Sequence, residues 1–414
     1  MKKLLIIALW APPYNNIAAR RTEMWVKHLP DCGYEPKVLT RYFDEEQQKA
    51  YDFAHETLPP KAMSNAYFEK HGSVYTNYEE NRWAKRMMRN KLGQLMHYAY
   101  PHQVHASWYR FAKRYIKETD YRPDLIIASV GPSIALKIGR YAARHFQCPW
   151  IVDYRDYWIY PYASYYSAKC FLQRRLLRTC SGYVTVTPGI QKDLAEQIRP
   201  LTVNSELVLN GIDPVEQNIF DEADRDWVNT FNELKGRYER LILYPGTIYL
   251  RQNMEFFLEA LERANASRRR IGLCLCGAID LKRFTGPPFV HLIGPVSRAT
   301  SMYFQRKADG LLFPTPRDKS ESCFSGKIFE FIASGKPTVV GPTPSWDFEE
   351  FLSDVSSVSV VKDDAGVDLF FRELPVSNSA SDSATSYPDK ILAVHSVQRL
   401  AGFLDRVLDR APSK

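Results

Sequence analysis

The chain has 414 residues, of which 45% are hydrophobic and 13% aromatic, and its net charge is +8 at pH 7. This length fits two domains of about 200 residues with large cores. No apolar run approaches the ~20 residues that a membrane-spanning helix needs, which excludes an integral membrane protein and leaves peripheral contact as the alternative. The positive charge favours an anionic partner, namely a nucleotide, an anionic membrane surface or nucleic acid.

We find no nucleic-acid recognition motif and therefore predict no nucleic-acid partner. The seven cysteines are odd in number and scattered, without the CxxC pairs of a zinc site. This pattern predicts a reduced, cytoplasmic protein without a bound metal.

The chain opens with an apolar run, residues 4–9, which predicts a strand covered on both faces. Two lysines before this run imitate a signal peptide, but the run is short and no clear cleavage site follows it. A helix from about Ala18 to Leu29 and a second strand from Pro36 to Thr40 come next. This strand–helix–strand order is the unit of a parallel sheet.

Residues 42–120 do not repeat that unit, and we predict a partly helical insertion there. Nine Lys or Arg and no Asp or Glu occur between Asn81 and Lys117, interleaved with aromatic and long apolar side chains. Such a stretch favours either an interfacial helix on anionic lipid or a pair of helices with a solvated basic face. The first alternative implies peripheral membrane contact, on the cytoplasmic face.

The remaining strands of this half are predicted at 124–130, 149–152, 183–187 and 207–210, with helices between them. The strand at 149–152 runs into Asp153, Arg155 and Asp156. The carboxyl ends of such strands are where open α/β sheets bind ligands. Two interpretations stay open: an ion pair that fixes the loop, or a carboxylate, Asp153 or Asp156, that orients an acceptor hydroxyl or acts as a base.

A second sheet is predicted to begin at Leu241–Tyr244, after a domain boundary near residue 220. Its first strand ends at Gly246 and Thr247, and Arg251 follows in the same loop. A glycine at a strand-to-helix turn allows the backbone to approach a ligand closely. The guanidinium of Arg251 suits phosphate oxygens.

The stretch after the predicted strand Gly310–Phe313 carries the clearest site signal. A helix is predicted to begin at Ser325–Gly326, where free backbone N–H groups suit a phosphate. Lys327 adds a positive charge in the first turn, and Glu330 lies about one turn further along, where it could accept hydrogen bonds from a diol such as a ribose. The alternative is an ordinary amphipathic helix with a solvated Lys and Glu.

The run from Lys327 to Val339, KIFEFIASGKPTV, resembles the donor-binding signature of the GT-B glycosyltransferases, especially the family 4-like group. The segment PWIVDYRDYW at 149–158 resembles a run in their acceptor domain. The resemblance implies an α/β fold of GT-B type, with two Rossmann-like domains facing an interdomain cleft. The implied domains are an acceptor domain at 1–220, a donor domain at 221–390, and a terminal helix at 391–414 that crosses back to the first domain.

The resemblance also implies a glycosyltransferase, retaining and independent of metal, with a UDP- or GDP-sugar as co-substrate and no other cofactor. The acceptor would be a glycan or a polyprenyl-linked molecule of surface polysaccharide or glycoconjugate biosynthesis. Glu330 would hold the ribose hydroxyls, and Lys327 the diphosphate. The full set of implied donor-binding residues is Gly246, Thr247, Arg251, Phe324, Ser325, Gly326, Lys327 and Glu330.

Many relatives carry a second glutamate eight residues before the first one. Ser322 occupies that position here, and Glu321 is the nearest carboxylate, so Glu321 joins Asp153 and Asp156 as a candidate catalytic residue. Two rival functions remain: a catalytically degenerate homologue that only binds its ligand, and a sugar-nucleotide epimerase of the same fold.

Overall fold

The computed structural model describes residues 1–11, 17–40, 55–56, 103–131, 133–160, 165–213, 219–246, 252–267, 270–277, 286–316, 322, 324–375 and 388–410. Contacts between Cα atoms divide the chain into two compact units. Unit 1 comprises Met1–Gly211 and Ala393–Lys414, and unit 2 comprises Ile212–Leu392.

Strands and helices alternate through most of the described chain. The strands are β1 Lys2–Ile7, β2 Tyr34–Leu39, β3 His55–Glu56, β4 Leu125–Ser129, β5 Trp150–Tyr154, β6 Gly182–Thr185, β7 Ser205–Leu207, β8 Arg240–Pro245, β9 Ile271–Cys276, β10 Val290–Ile293, β11 Gly310–Pro314, β12 Thr338–Gly341 and β13 Val358–Val360. The α-helices are α1 Ile17–His28, α2 Gln103–Glu118, α3 Ile134–Phe146, α4 Tyr166–Leu177, α5 Pro188–Ile198, α6 Arg225–Arg237, α7 Met254–Ala266, α8 Arg298–Lys307, α9 Gly326–Ser334, α10 Trp346–Leu352, α11 Asp364–Glu373 and α12 Ala393–Asp409.

Unit 1 is built on a parallel sheet with the strand order β3-β2-β1-β4-β5-β6-β7. Successive residues of β1 point to opposite faces, as the period of a strand requires. Leu5 and Ile7 pack in the core under α2, α3, α4 and α5. Leu4 and Ile6 pack in the core under α1 and α12. Both faces of β1 are therefore covered, which explains its continuous apolar sequence.

The chain returns to unit 1 in its last helix. Val397, Leu400 and Leu404 of α12 are completely buried in the same core as Trp25 of α1. Their spacing of three and four residues places them on one side of the helix. The predicted domain boundary near residue 220 lies a few residues beyond the end of this unit at Gly211.

Unit 2 is built on a second parallel sheet, with the strand order β10-β9-β8-β11-β12-β13. Strand β8 pairs with both β9 and β11, and the three strands run in the same direction. The carboxyl ends of β8 and β11 therefore lie at one edge of the sheet, although more than sixty residues separate them along the chain. This juxtaposition positions the site described below.

The predicted α/β fold with two Rossmann-like domains is confirmed by these two parallel sheets. Most of the predicted basic insertion lies outside the described residues, and its last part forms α2. Within the described part of the chain, no helix combines the length and the apolar character that crossing a membrane requires.

Candidate functional site

Helix α9 begins where the sequence predicts it. Ser325 is the N-cap, and its Oγ accepts a hydrogen bond from the backbone N–H of Lys327 at 3.4 Å. The helix ends at Gly335, whose φ of 66° is the left-handed conformation that favours glycine at this position. The apolar side of the helix, with Ile328, Phe329 and Phe331, is buried. Lys327 and Glu330 lie on the less buried side, which leaves both side chains beside the carboxyl edge of the sheet.

Lys327 lies over the end of β8. Its Nζ is 4.9 Å from the ring centroid of Tyr244 and 3.4 Å from the hydroxyl of the same residue. Gly246, two residues further on, has a φ of 127°. A Cβ atom added to Gly246 would overlap the ammonium group of Lys327. The structure therefore brings together two of the predicted donor-binding residues: Gly246 directly follows β8, and Lys327 lies in the first turn of α9, which follows the neighbouring strand β11.

The environment of Lys327 is only partly polar. Burial lowers the pKa of its ammonium group to about 8, and the negative charge of Glu330 acts in the opposite direction. A shifted pKa of this kind is more common at binding and catalytic sites than elsewhere. A phosphate bound at the start of α9 would supply a counter-charge for the ammonium group of Lys327.

Glu330 is held by helix α8. Arg298 donates from its Nε to Oε1 of Glu330 at 2.9 Å, and Gln305 donates from its Nε2 to Oε2 at 3.4 Å. The side chain of Glu330 keeps 20% of its surface exposed. The alternative of a freely solvated Glu at this position is wrong, because two donors fix the carboxylate.

Phe324 and Ser322 are directed toward the interior of unit 2. The ring of Phe324 packs against those of Phe348 and Phe351, with centroids 5.2 and 5.0 Å apart. Ser322 donates a hydrogen bond to the buried carboxylate of Asp347. Contrary to the prediction of a donor-binding side chain, Phe324 is 4% exposed and supports the loop from inside.

In unit 1, Asp153 is sealed in the core. Its side chain is fully buried, and its Oδ1 accepts a hydrogen bond from Nε of Arg21 at 2.9 Å. Its Oδ2 accepts one from the hydroxyl of Ser129 at 2.8 Å. A carboxylate that is closed to solvent and bonded at both oxygens is poorly suited to take a proton from a substrate. The geometry thus favours the structural ion pair for Asp153, with Arg21 rather than Arg155 as its partner.

Arg155 and Asp156 lie at the surface end of the same segment. Arg155 donates to the backbone carbonyls of Val130 and Gly131, at 2.9 and 2.7 Å, and so ties the ends of β4 and β5 together. Asp156 is exposed. Of the two predicted carboxylates in unit 1, Asp156 is the one that a ligand can reach.

Comparisons with known proteins add to this geometry. Residues 18–204 match a family model described as a glycosyl transferase 4-like domain. No curated protein sequence matches the chain. Several solved structures share its fold at low sequence identity.

A glycosyltransferase from Rickettsia africae ESF-5 superposes with a TM-score of 0.59 at 12% identity, covering 99% of this chain and 94% of that one. A UDP-forming α,α-trehalose-phosphate synthase from Burkholderia xenovorans gives a TM-score of 0.62 at 10% identity, with 98% and 100% covered. The chain therefore has the GT-B fold, and its residues 18–204 match a glycosyl transferase 4-like domain. WaaG, a glycosyltransferase involved in lipopolysaccharide biosynthesis, also resembles this GT-B protein, with a TM-score of 0.50, 12% identity, and 99% and 100% covered.

Sequence reasoning missed two arginines of this protein that bind the acidic residues it did find. Arg298 pairs with Glu330 across 32 residues, and Arg21 pairs with Asp153 across 132 residues. Neither arginine belongs to a short motif, so no local pattern could have pointed to it. Thr247, Arg251 and Glu321 lie outside the described residues, and their roles stay predictions.

Proposed function

We propose that unit 2 binds the nucleoside diphosphate part of a nucleotide sugar and that the protein transfers the sugar to a glycan or lipid-linked acceptor. In this proposal the backbone at Gly246, the start of α9 and the ammonium of Lys327 surround the diphosphate, and Glu330 receives the ribose. The observation that carries the proposal is the position of Lys327 directly over Gly246, at the carboxyl edge where parallel sheets bind ligands.

The chemistry of the transfer explains why a cation belongs there. Breaking the bond between sugar and diphosphate leaves negative charge on the departing phosphate, and a preorganised positive charge lowers the barrier. Among the described residues, Lys327 contacts the hydroxyl and ring of Tyr244 rather than a carboxylate. Its charge is thus available to an anion. We propose that this ammonium and the helix N-terminus stabilise the leaving group without a metal ion, in a retaining reaction.

The nucleotide and the pathway are proposed on the strength of the structural relatives. One of them is described as UDP-forming, and another as involved in lipopolysaccharide biosynthesis. We therefore propose a UDP- or GDP-sugar as donor and an acceptor from surface polysaccharide or glycoconjugate biosynthesis. Asp156, exposed at the carboxyl edge of the unit 1 sheet, is the candidate to orient the acceptor hydroxyl or to act as base.

A thermal-shift panel with UDP, GDP, ADP and their sugars tests the donor site. A ligand that binds the native state raises the melting temperature with the logarithm of its excess. We expect one nucleotide to stabilise the wild-type protein, and the variants Lys327→Ala and Glu330→Gln to lose most of that shift. Arg263→Gln is the matched control, because Arg263 pairs with Asp364 and Asp368 on α11 and is not part of the proposed site. No shift with any nucleotide would contradict the proposal.

Hydrolysis of the stabilising nucleotide sugar separates the rival functions. If the protein is an active transferase, water can take the place of a missing acceptor, and we expect slow release of the nucleoside diphosphate. Binding without release or transfer would favour the degenerate homologue. Conversion of the sugar into its epimer, with the nucleotide still attached, would favour the epimerase.

We also propose that helices α2, α3 and α4 form a basic face that contacts an anionic membrane on its cytoplasmic side. Helices α3 and α4 contain no Asp or Glu, and α2 contains only Glu118. Burial, followed by the neighbouring charges of Arg144, Arg175 and Arg178, lowers the pKa of Arg140. Phe171 on α4 is 55% exposed and adds an apolar contact.

Liposome co-sedimentation tests this face. We expect the protein to bind vesicles of phosphatidylcholine with phosphatidylglycerol more strongly than vesicles of phosphatidylcholine alone, and less strongly as salt is added. Arg144→Gln/Arg175→Gln should weaken the binding. Arg399→Gln/Arg406→Gln removes the same charge from α12 and serves as the control. Binding that does not depend on lipid charge would contradict the proposal.

A further inference from the structure

Glu330 is fixed from one side and open on the other. Its two carboxylate oxygens each accept one hydrogen bond from α8, from Arg298 and from Gln305. The side chains of Arg298 and Glu330 nevertheless keep 35% and 20% of their surface exposed. A carboxylate offers about four lone-pair positions. After these two bonds it can still accept two more, which matches the neighbouring hydroxyls of a ribose.

The start of α8, which carries Arg298, is fixed by hydrogen bonds. It is the first residue of α8, directly after the N-cap Ser297, whose Oγ accepts a hydrogen bond from the N–H of Thr300 at 3.3 Å. The N–H of Ser297 donates to Asp224 at 2.8 Å. Gln305, the second donor to Glu330, is 1% exposed. The carboxylate is therefore oriented before any ligand arrives, which reduces the conformational entropy lost on binding.

The charges around the site also require a partner for Glu330. Its carboxylate is close enough to Lys327 to raise the pKa of that ammonium. Without a cationic partner, the carboxylate of Glu330 would repel a diphosphate bound beside Lys327. This repulsion would offset part of the attraction from the Lys327 ammonium. The guanidinium of Arg298 compensates the charge of Glu330, so that the ammonium of Lys327 remains effective.

We infer that Arg298 is a positioning residue, which orients and neutralises Glu330 for recognition of the ribose hydroxyls of the donor. The inference rests on the proposed donor site and extends it to a residue outside the predicted motifs. It assigns to the Arg298–Glu330 pair the preference of the protein for a ribonucleotide over a deoxyribonucleotide.

Isothermal titration with UDP, GDP and their 2′-deoxy counterparts tests this inference. We expect wild-type protein to bind the ribonucleotide about tenfold more tightly than the deoxyribonucleotide, since a hydrogen bond to a charged acceptor is lost. In Arg298→Gln, affinity for the ribonucleotide should fall to that for the deoxyribonucleotide. Arg298→Lys keeps the charge and should retain part of the preference. Glu330→Gln should also reduce the preference, and Arg263→Gln should leave it intact.

The outcomes distinguish this inference from the proposal on which it rests. If Arg298→Gln binds both forms more weakly by the same factor and still prefers the ribonucleotide, Arg298 only supports the fold and the inference is overturned. A full ribose preference in Glu330→Gln would overturn it as well, while the diphosphate site would stand. If wild-type protein binds none of the four nucleotides, the donor site and the inference both fail.

Discussion

The two arginine–carboxylate pairs of this protein have the same chemistry and opposite surroundings. In unit 1, Arg21 and Asp153 are 1% and 0% exposed, and Asp153 also binds Ser129. In unit 2, Arg298 and Glu330 are 35% and 20% exposed. Both carboxylates belong to segments at the carboxyl edge of a parallel sheet. Solvent access therefore separates a carboxylate that stabilises a domain from one that can receive a ligand.

The largest expected effect comes from breaking the sealed pair. Asp153→Ala leaves the Arg21 guanidinium buried without its counter-charge, and we expect a loss of about 3–5 kcal/mol in the free energy of unfolding. Urea denaturation measures the loss. The double variant Arg21→Met/Asp153→Leu removes both charges and should recover part of it. Wild-type stability with abolished sugar transfer in Asp153→Ala would instead make Asp153 a catalytic residue.

The next effect concerns the close approach at the open site. Gly246→Ala places a methyl group at a φ of 127° and against the ammonium of Lys327. We expect a loss of about 1–3 kcal/mol in stability from the backbone strain, together with weaker binding of the nucleotide that stabilises the wild-type protein. Gly236→Ala is the matched control, because a Cβ there meets nothing within 4 Å. If Gly246→Ala and Gly236→Ala had the same stability and the same nucleotide affinity, the proposed binding site at Gly246 would be contradicted.

The pH dependence of nucleotide binding tests whether the partly exposed site in unit 2 uses the charge of Lys327. Burial lowers the pKa of Lys327 to about 8, so its ammonium is mostly charged at pH 7 and mostly neutral at pH 9. We expect nucleotide affinity to fall by about tenfold over this range, measured by titration calorimetry. Lys327→Arg stays charged and should show a flat profile. The same slope in both proteins would assign the titration to another group.

The lowered pKa of Lys327 also affects how stability depends on pH. We expect its contribution to stability to rise with pH, whereas nucleotide affinity falls. Above pH 8 the folded protein releases the Lys327 proton, whereas the unfolded chain holds it up to about 10.5. Stability rises with pH wherever the unfolded state binds more protons, so the contribution of Lys327 improves between these two values. The penalty for its buried charge is fully present below pH 8. Urea denaturation of the wild type and Lys327→Met as a function of pH measures the difference.

The smallest effect on stability is expected at Asp156. Because this residue is exposed, Asp156→Asn should change the free energy of unfolding by less than about 0.5 kcal/mol. Nucleotide affinity should be unchanged, and sugar transfer should be slower if the carboxylate orients or deprotonates the acceptor. Transfer at the wild-type rate would remove Asp156 from the candidate catalytic residues.

The residues of the candidate site differ in how well the sequence alone predicted them. Lys327 and Glu330 were found because both lie within the first two helix turns after a recognisable N-cap, at Ser325. Gly246 was found because a glycine directly follows an apolar strand. Phe324 was assigned to the ligand, although its ring is buried, since a local motif does not reveal the direction in which a side chain points.

The sequence by itself determined the alternation of buried strands and capped helices, because apolar periodicity and cap residues act over only a few positions. It also determined the chemical types at the start of α9. Only the tertiary structure decided that Asp153 is buried with Arg21 and that Glu330 stays partly exposed beside Arg298. Contacts of this kind depend on strand order: β8 lies beside β11, which brings Gly246 to Lys327, and β4 lies beside β5, which brings Ser129 to Asp153. Contacts between residues so far apart in the chain form only when the sheets assemble, and no local pattern encodes them.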